Sequence, residues 1–106
     1  MFTVGQLEYF LEVAKQLSFT KAAETFYTDQ TTISKSIAKL ERDLDVKLFH
    51  RTTRKIALTE AGNILQKEGA AWLEMREAIS NDVKKADRSR VASLTVFGLQ
   101  LRFFTR

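Results

Sequence analysis

The sequence predicts a mainly α-helical chain: three helices with a small β-hairpin wing, then one long helix. Three observations predict it. Apolar residues recur at helical spacing through the first 88 residues. Proline is absent, so no residue of that kind breaks the helical pattern. His50 to Leu58 departs from that pattern as a short, cationic, β-prone stretch between helical segments.

The first helix is expected from about Val4 to Gln16, opened by Thr3 and Gln6 at the spacing of a capping box. Leu7, Phe10, Leu11 and Ala14 fall at i, i+3, i+4 and i+7 and make one apolar face, the pattern of a core helix. Leu17 and Phe19 follow and are expected to close the core. The second helix is expected from about Thr20 to Phe26, capped by Ser18 or Thr20. Ala22 and Ala23 let a neighbouring helix approach closely. Tyr27 and Thr28 form the turn, and Asp29 is placed to cap the third helix with its carboxylate.

The third helix is expected from about Gln30 to Leu44. Ile33, Ile37, Leu40 and Leu44 form a buried stripe. At about 100° per residue, Thr31, Lys35, Ala38 and Arg42 face away from it, with Lys39 close by and Thr32 and Ser34 flanking the start. The outer face is small and hydrogen-bonding at its beginning and cationic at its end. Small donors and acceptors suit base edges, and Lys and Arg suit phosphates. A solvated face of a core helix would carry similar charges; the helix and turn just before it favour a helix that reads a groove.

Asp45 is expected to end this helix in a left-handed conformation, after which Val46, Leu48 and Phe49 return to the core. His50 to Leu58 then suggests two short strands around a turn near Thr53 and Arg54, although the turn lacks Gly and Asn. Arg51, Arg54 and Lys55 make it the densest cationic stretch, suited to phosphate or minor-groove contact. His50, the only histidine, has no partners at spacings that would make it a metal ligand or a base, and is read as a strand-surface or half-buried residue.

Thr59 is expected to cap a long helix running from about Glu60 to Ala86 or beyond. Leu65, Trp72, Ile79 and Ala86 repeat every seven residues, accompanied by Ala61, Glu68, Met75 and Asp82. That stripe has two possible covers: the chain's own first helix near its start, or the same helix of a second subunit along Trp72, Met75 and Ile79. Asn81 to Arg90 reads as a fraying end or a linker. Residues 90–106 are β-prone, read either as the first strand of a further domain or as a tail that packs on a partner.

Composition bounds the function. A chain of 106 residues is enough for one small domain and an extra element, and 44% hydrophobic residues support a core. Seventeen Lys and Arg against thirteen Asp and Glu give a net charge of +4, which fits a polyanionic partner. The absence of cysteine excludes a disulfide framework and, with one histidine, leaves no zinc site of Cys and His. With no thiol, no paired His and carboxylate and no Gly-rich phosphate loop, an enzyme is not expected, nor is any cofactor. No apolar run reaches the roughly 18 residues of a membrane span, and no secretory signal is evident, so a cytoplasmic location is expected.

Taken together, S-F-T-K-A-A from Ser18, the x-Q-x-x-x-S-K segment from Asp29 to Lys35, L-E-x-x-L-x-V-x-L-F-x-R from Leu40 to Arg51 and L-T-E-A-G from Leu58 to Gly62 resemble the N-terminal DNA-binding domain of a LysR-type transcriptional regulator. The resemblance covers about residues 3–65. It implies a winged helix-turn-helix over residues 1–58, a linker or dimerisation helix over 59–89, and in 90–106 the truncated start of an effector-binding domain. By position it implies that Gln30, Thr31, Ser34 and Lys35 read the groove. Thr20, Thr32, Lys39, Arg51 and Arg54 would contact backbone or minor groove, and Leu65, Trp72, Met75 and Ile79 would pair two subunits. The implied partners are double-stranded DNA, as a palindromic operator, and a second copy of the chain. A small-molecule co-inducer is not expected to bind where the effector domain is absent. The alternative is an interaction module that forms heterodimers with full-length regulators through the linker helix. The chain departs from the family pattern at Thr31, where Pro is frequent, at Lys35, where Arg is commoner, at Asp45, where Gly is frequent, and in a wing without Gly.

Overall fold

The computed structural model describes the backbone of residues 1–96 and the side chains of residues 1–88. The elements run α1 (Val4–Gln16), α2 (Phe19–Thr25), α3 (Gln30–Leu44), β1 (Phe49–Arg51), β2 (Ile56–Leu58) and α4 (Glu60–Val96). Two units divide the chain, residues 1–71 and residues 72–106.

Helix α1 opens on a reciprocal capping box. The Gln6 N–H donates to Thr3 Oγ1 at 3.1 Å, and the Thr3 N–H donates to Gln6 Oε1 at 2.7 Å. Leu7, Phe10, Val13 and Ala14 are buried on its inner face. Leu17 ends the helix with φ 49°, and its N–H donates to the Val13 carbonyl. That left-handed cap leaves the Leu17 side chain exposed, so it does not close the core as its hydrophobicity suggests.

Helix α2 is capped by Ser18, whose Oγ accepts from the Lys21 N–H at 3.0 Å. The cap sets the helix one residue earlier than the Thr20–Phe26 span expected from sequence. Ala22 and Ala23 are buried between the helices. The turn to α3 passes through Tyr27 at φ 54° and is closed by the Thr28 N–H on the Ala23 carbonyl at 3.0 Å.

On α3, Ile33, Ile37 and Leu40 are fully buried, as the stripe predicts. Leu44 is not: it is 37% exposed. The chain reverses immediately after it, at Asp45 with φ 55°, and the last helical turn extends past the core. Val46 is exposed for the same reason, and only Leu48 and Phe49 re-enter the interior. Phe49 packs against the Phe10 ring at 5.3 Å and the Phe19 ring at 5.9 Å between centroids.

Strands β1 and β2 pair antiparallel, with Phe49 opposite Leu58, His50 opposite Ala57 and Arg51 opposite Ile56. No glycine is needed in the turn because Thr52 closes it. Its N–H donates to the Lys55 carbonyl at 2.9 Å, and its hydroxyl oxygen accepts from the Lys55 N–H at 3.0 Å. His50 lies exposed on β1.

The start of α4 is tied to the residues just before β1. Thr59 Oγ1 accepts from the Gly62 N–H at 2.9 Å and donates to the Lys47 carbonyl at 2.7 Å, while the Thr59 N–H donates to the Leu48 carbonyl at 3.0 Å. A Cβ on Gly62 would lie 2.2 Å from the Leu48 oxygen, and one on Gly69 would lie 2.7 Å from Leu7 Cδ1. Glycine is what lets α4 approach both. The compact unit therefore includes the first turns of this helix.

Helical backbone continues to Val96, so residues 91–96 are not the β-prone segment their composition suggests. An established helix propagates by one hydrogen bond per added residue and overrides weak local preference. The rest of the expected β-prone tail, residues 97–106, lies outside the described residues.

Candidate nucleic-acid interface

Helix α3 presents opposite properties on its two sides. Gln30, Thr31, Thr32, Lys35 and Lys39 are exposed, and Ser34 is half-buried beside the stripe of Ile33 and Ile37. The helix starts where it does because Asp29 Oδ1 accepts from the Thr32 N–H at 2.7 Å. That bond, the Thr32 hydroxyl and the charge of Lys35 together hold the Asp29 carboxyl below its ordinary range. An ionised carboxylate at this end also suits the positive end of the helix dipole.

Thr20 and Gln30 are brought together: the Thr20 hydroxyl donates to Gln30 Oε1 at 3.3 Å, joining α2 to the first residue of α3. Lys39 is paired along its own helix with Asp43, Nζ to Oδ2 at 3.2 Å. Arg54 is exposed in the turn between the strands, as is Lys55, and neither side chain has an ion-pair partner among the described residues.

Arg51 is placed differently. Its Nη2 lies 3.8 Å from Glu41 Oε1, and its Cζ sits 4.5 Å over the centre of the Phe19 ring. Glu41 is only 7% exposed, and its other oxygen accepts from the Leu48 N–H at 2.8 Å. Sequence reasoning did not single out Glu41. The available signal was its place four residues after Ile37, at the edge of the buried stripe, where a carboxylate needs a partner. Asp43, the partner of Lys39, was missed as an ordinary i, i+4 surface pair.

On α4, Leu65 is half-buried, whereas Trp72, Met75 and Ile79 are exposed, Trp72 by 49%. Val83 continues that exposed series. No described helix is long and apolar enough to cross a membrane, and among the described residues no cluster of His, Cys, Asp or Glu is suited to hold a metal ion.

Known proteins resemble this chain in sequence and in fold. The family model for bacterial regulatory helix-turn-helix proteins of the lysR family matches residues 4–63. A probable RuBisCO transcriptional regulator of Porphyra purpurea is 45% identical over 76 residues, covering 72% of this chain and 24% of its own length. The Hca operon transcriptional activator HcaR of Escherichia coli is 44% identical over 71 residues, covering 67% of this chain and 24% of its own length. The chain thus spans about a quarter of the length of these curated relatives. Among solved structures, full-length CbnR in complex with its target DNA aligns with a TM-score of 0.78 at 31% identity, covering 83% of this chain and 31% of CbnR. The BenM DNA-binding domain in complex with catB site 1 DNA aligns with a TM-score of 0.76 at 27% identity, covering 79% of this chain and 93% of that domain. By the family match over residues 4–63, this chain belongs to the lysR family of bacterial regulatory helix-turn-helix proteins.

Proposed function

We propose that this chain binds double-stranded DNA sequence-specifically as part of a transcription regulator, and that it acts in the cytoplasm by binding rather than by catalysis. Helix α3 enters a major groove, where Gln30, Thr31, Ser34 and Lys35 meet base edges. Thr20, Thr32, Lys39 and the wing residue Arg54 meet the backbone or minor groove; Arg51, which the resemblance adds to this set, lies against Glu41 and Phe19. Two copies pair through α4 along Leu65, Trp72, Met75 and Ile79, so that two α3 helices address the halves of a palindromic operator. The observation that carries this reading is the two-sidedness of α3: a fully buried Ile33, Ile37 and Leu40 stripe behind an exposed face of small polar and cationic groups. Support also comes from the CbnR and BenM complexes, both of which contain DNA.

A titration of a labelled duplex, recovered by selection from random DNA, tests it over a salt series. Affinity should fall steeply with salt, by about 0.9 in log–log slope per phosphate contact. Gln30→Ala should relax preference at particular bases, at about 1–3 kcal/mol, whereas Lys39→Ala should weaken all duplexes alike. An affinity that barely responds to salt refutes phosphate contact. For pairing, Trp72→Glu should shift the chain to monomer in sedimentation.

A further inference from the structure

We propose that Glu41 and Phe19 hold Arg51 as a strut that aims the cationic tip of the wing, so that Arg51 acts on DNA through Arg54 and Lys55 rather than by touching phosphate. The proposal rests on the DNA-binding reading above and refines it at one residue.

Three elements meet at Arg51. Glu41 comes from α3, Phe19 from the first residue of α2, and Arg51 is the last residue of β1. The Glu41 carboxylate is divided between two tasks. One oxygen accepts from the Leu48 N–H, fixing the chain just before β1, and the other faces the Arg51 guanidinium. Phe19 in turn lies edge-on to Phe49, which packs on Phe10 in the core. The guanidinium is therefore located by a buried carboxylate below the wing and by a ring anchored in the core.

Its position in the hairpin gives this contact leverage. Arg51 immediately precedes Thr52, which closes the turn that carries Arg54 and Lys55. Whatever fixes Arg51 against α3 fixes the direction in which that tip leaves the reading helix. Turning Arg51 outward to a phosphate would strand a carboxylate that is 7% exposed without its cation, an unfavourable exchange. Arg54 and Lys55 have no such tie among the described residues. Arg51 and Glu41 are thus positioning residues for the wing.

The test is the salt series on the selected duplex, at a temperature where circular dichroism shows every variant folded. Arg54→Ala should lower the salt slope by about 1. Arg51→Met should cost about 2- to 150-fold in affinity, the range of a lost coupling between neighbours, with the slope unchanged. Glu41→Gln decides most sharply. It raises net positive charge, which by itself strengthens DNA binding, and it keeps an acceptor for the Leu48 N–H. The strut requires it to weaken binding by about as much as Arg51→Met, and the double variant to be no worse than either single. Phe19→Leu, which keeps apolar volume and removes the ring, should give a smaller loss in the same direction. The proposal is overturned if Arg51→Met lowers the slope as Arg54→Ala does, or if Glu41→Gln binds more tightly. Wild-type affinity indifferent to both salt and Arg54→Ala would instead overturn the DNA reading, and the strut's role in it.

Discussion

Replacing Gly62 by Ala should loosen the junction between the wing and α4. A Cβ there would sit 2.2 Å from the Leu48 carbonyl oxygen and 2.8 Å from Leu58 Cδ2. The oxygen belongs to backbone held in place, since the same carbonyl accepts the Thr59 N–H at 3.0 Å. Relief needs a shift of about 1 Å, enough to stretch that bond beyond useful length. Overpacking of this kind costs about 1–3 kcal/mol, and a weakened hydrogen bond adds about 0.5–1.5 kcal/mol. Alanine offsets about 1 kcal/mol through better helix propensity. A net loss of roughly 0.5–3.5 kcal/mol remains, or a fall in Tm on the order of 2–28 °C for a chain this size. Gly5→Ala is the internal control. Its Cβ meets only Thr3 Oγ1 at 3.9 Å, so the propensity gain stands alone and stability should rise slightly. Urea and thermal unfolding of both variants measure the contrast. If Gly62→Ala proves as stable as Gly5→Ala, the close approach at Leu48 does not govern this junction.

Three further outcomes are expected. Asp43→Asn frees Lys39 from a pair that is half in solvent and should raise affinity for every duplex by up to about 5-fold at low salt, an effect that fades as salt increases; anisotropy at two ionic strengths checks it. Thr52→Val keeps the branched shape but removes the hydroxyl that accepts from the Lys55 N–H, so amide exchange at Lys55 should quicken while global stability falls by only about 0.5–1.5 kcal/mol. Asp29 is held below the ordinary carboxylate range, first by the Thr32 N–H. With a depressed folded pKa, its ionised form contributes fully above the unfolded value and is lost as pH falls through the folded one. The stability difference between wild type and Asp29→Asn should therefore be constant above about pH 5 and shrink in acid; urea melts across pH decide it, and a difference that grows on acidification contradicts the cause assigned.

Much of the fold is legible locally. The bounds of α1 and α3 follow from caps written in adjacent residues, Thr3 with Gln6 and Asp29 before Thr32, and from apolar spacing within one helix. What periodicity does not report is where a neighbouring element stops. Leu44 continues the α3 stripe perfectly and is still exposed, because exposure depends on what lies opposite. Leu17 and Val46 differ from expectation for a related reason: backbone turns decide where their side chains go. The wing lacks a recognised glycine turn because a threonine hydroxyl performs the closure. At the candidate interface, the exposed polar face of α3 is visible in spacing alone. The tie from Arg51 to Glu41 is not, since it joins residues ten apart through a strand and a helix whose packing only the fold supplies.

Leu17, Tyr27 and Asp45 all carry positive φ, and none of them is glycine. All three are exposed at the surface. A survey of tolerated substitutions that used burial as its guide would score them as freely variable. Backbone handedness says otherwise: β-branched residues are the ones least able to occupy them, and Gly or Asn the most readily accepted. These exposed corners between helices are places where chirality, rather than packing or contact, limits which sequences the domain can explore.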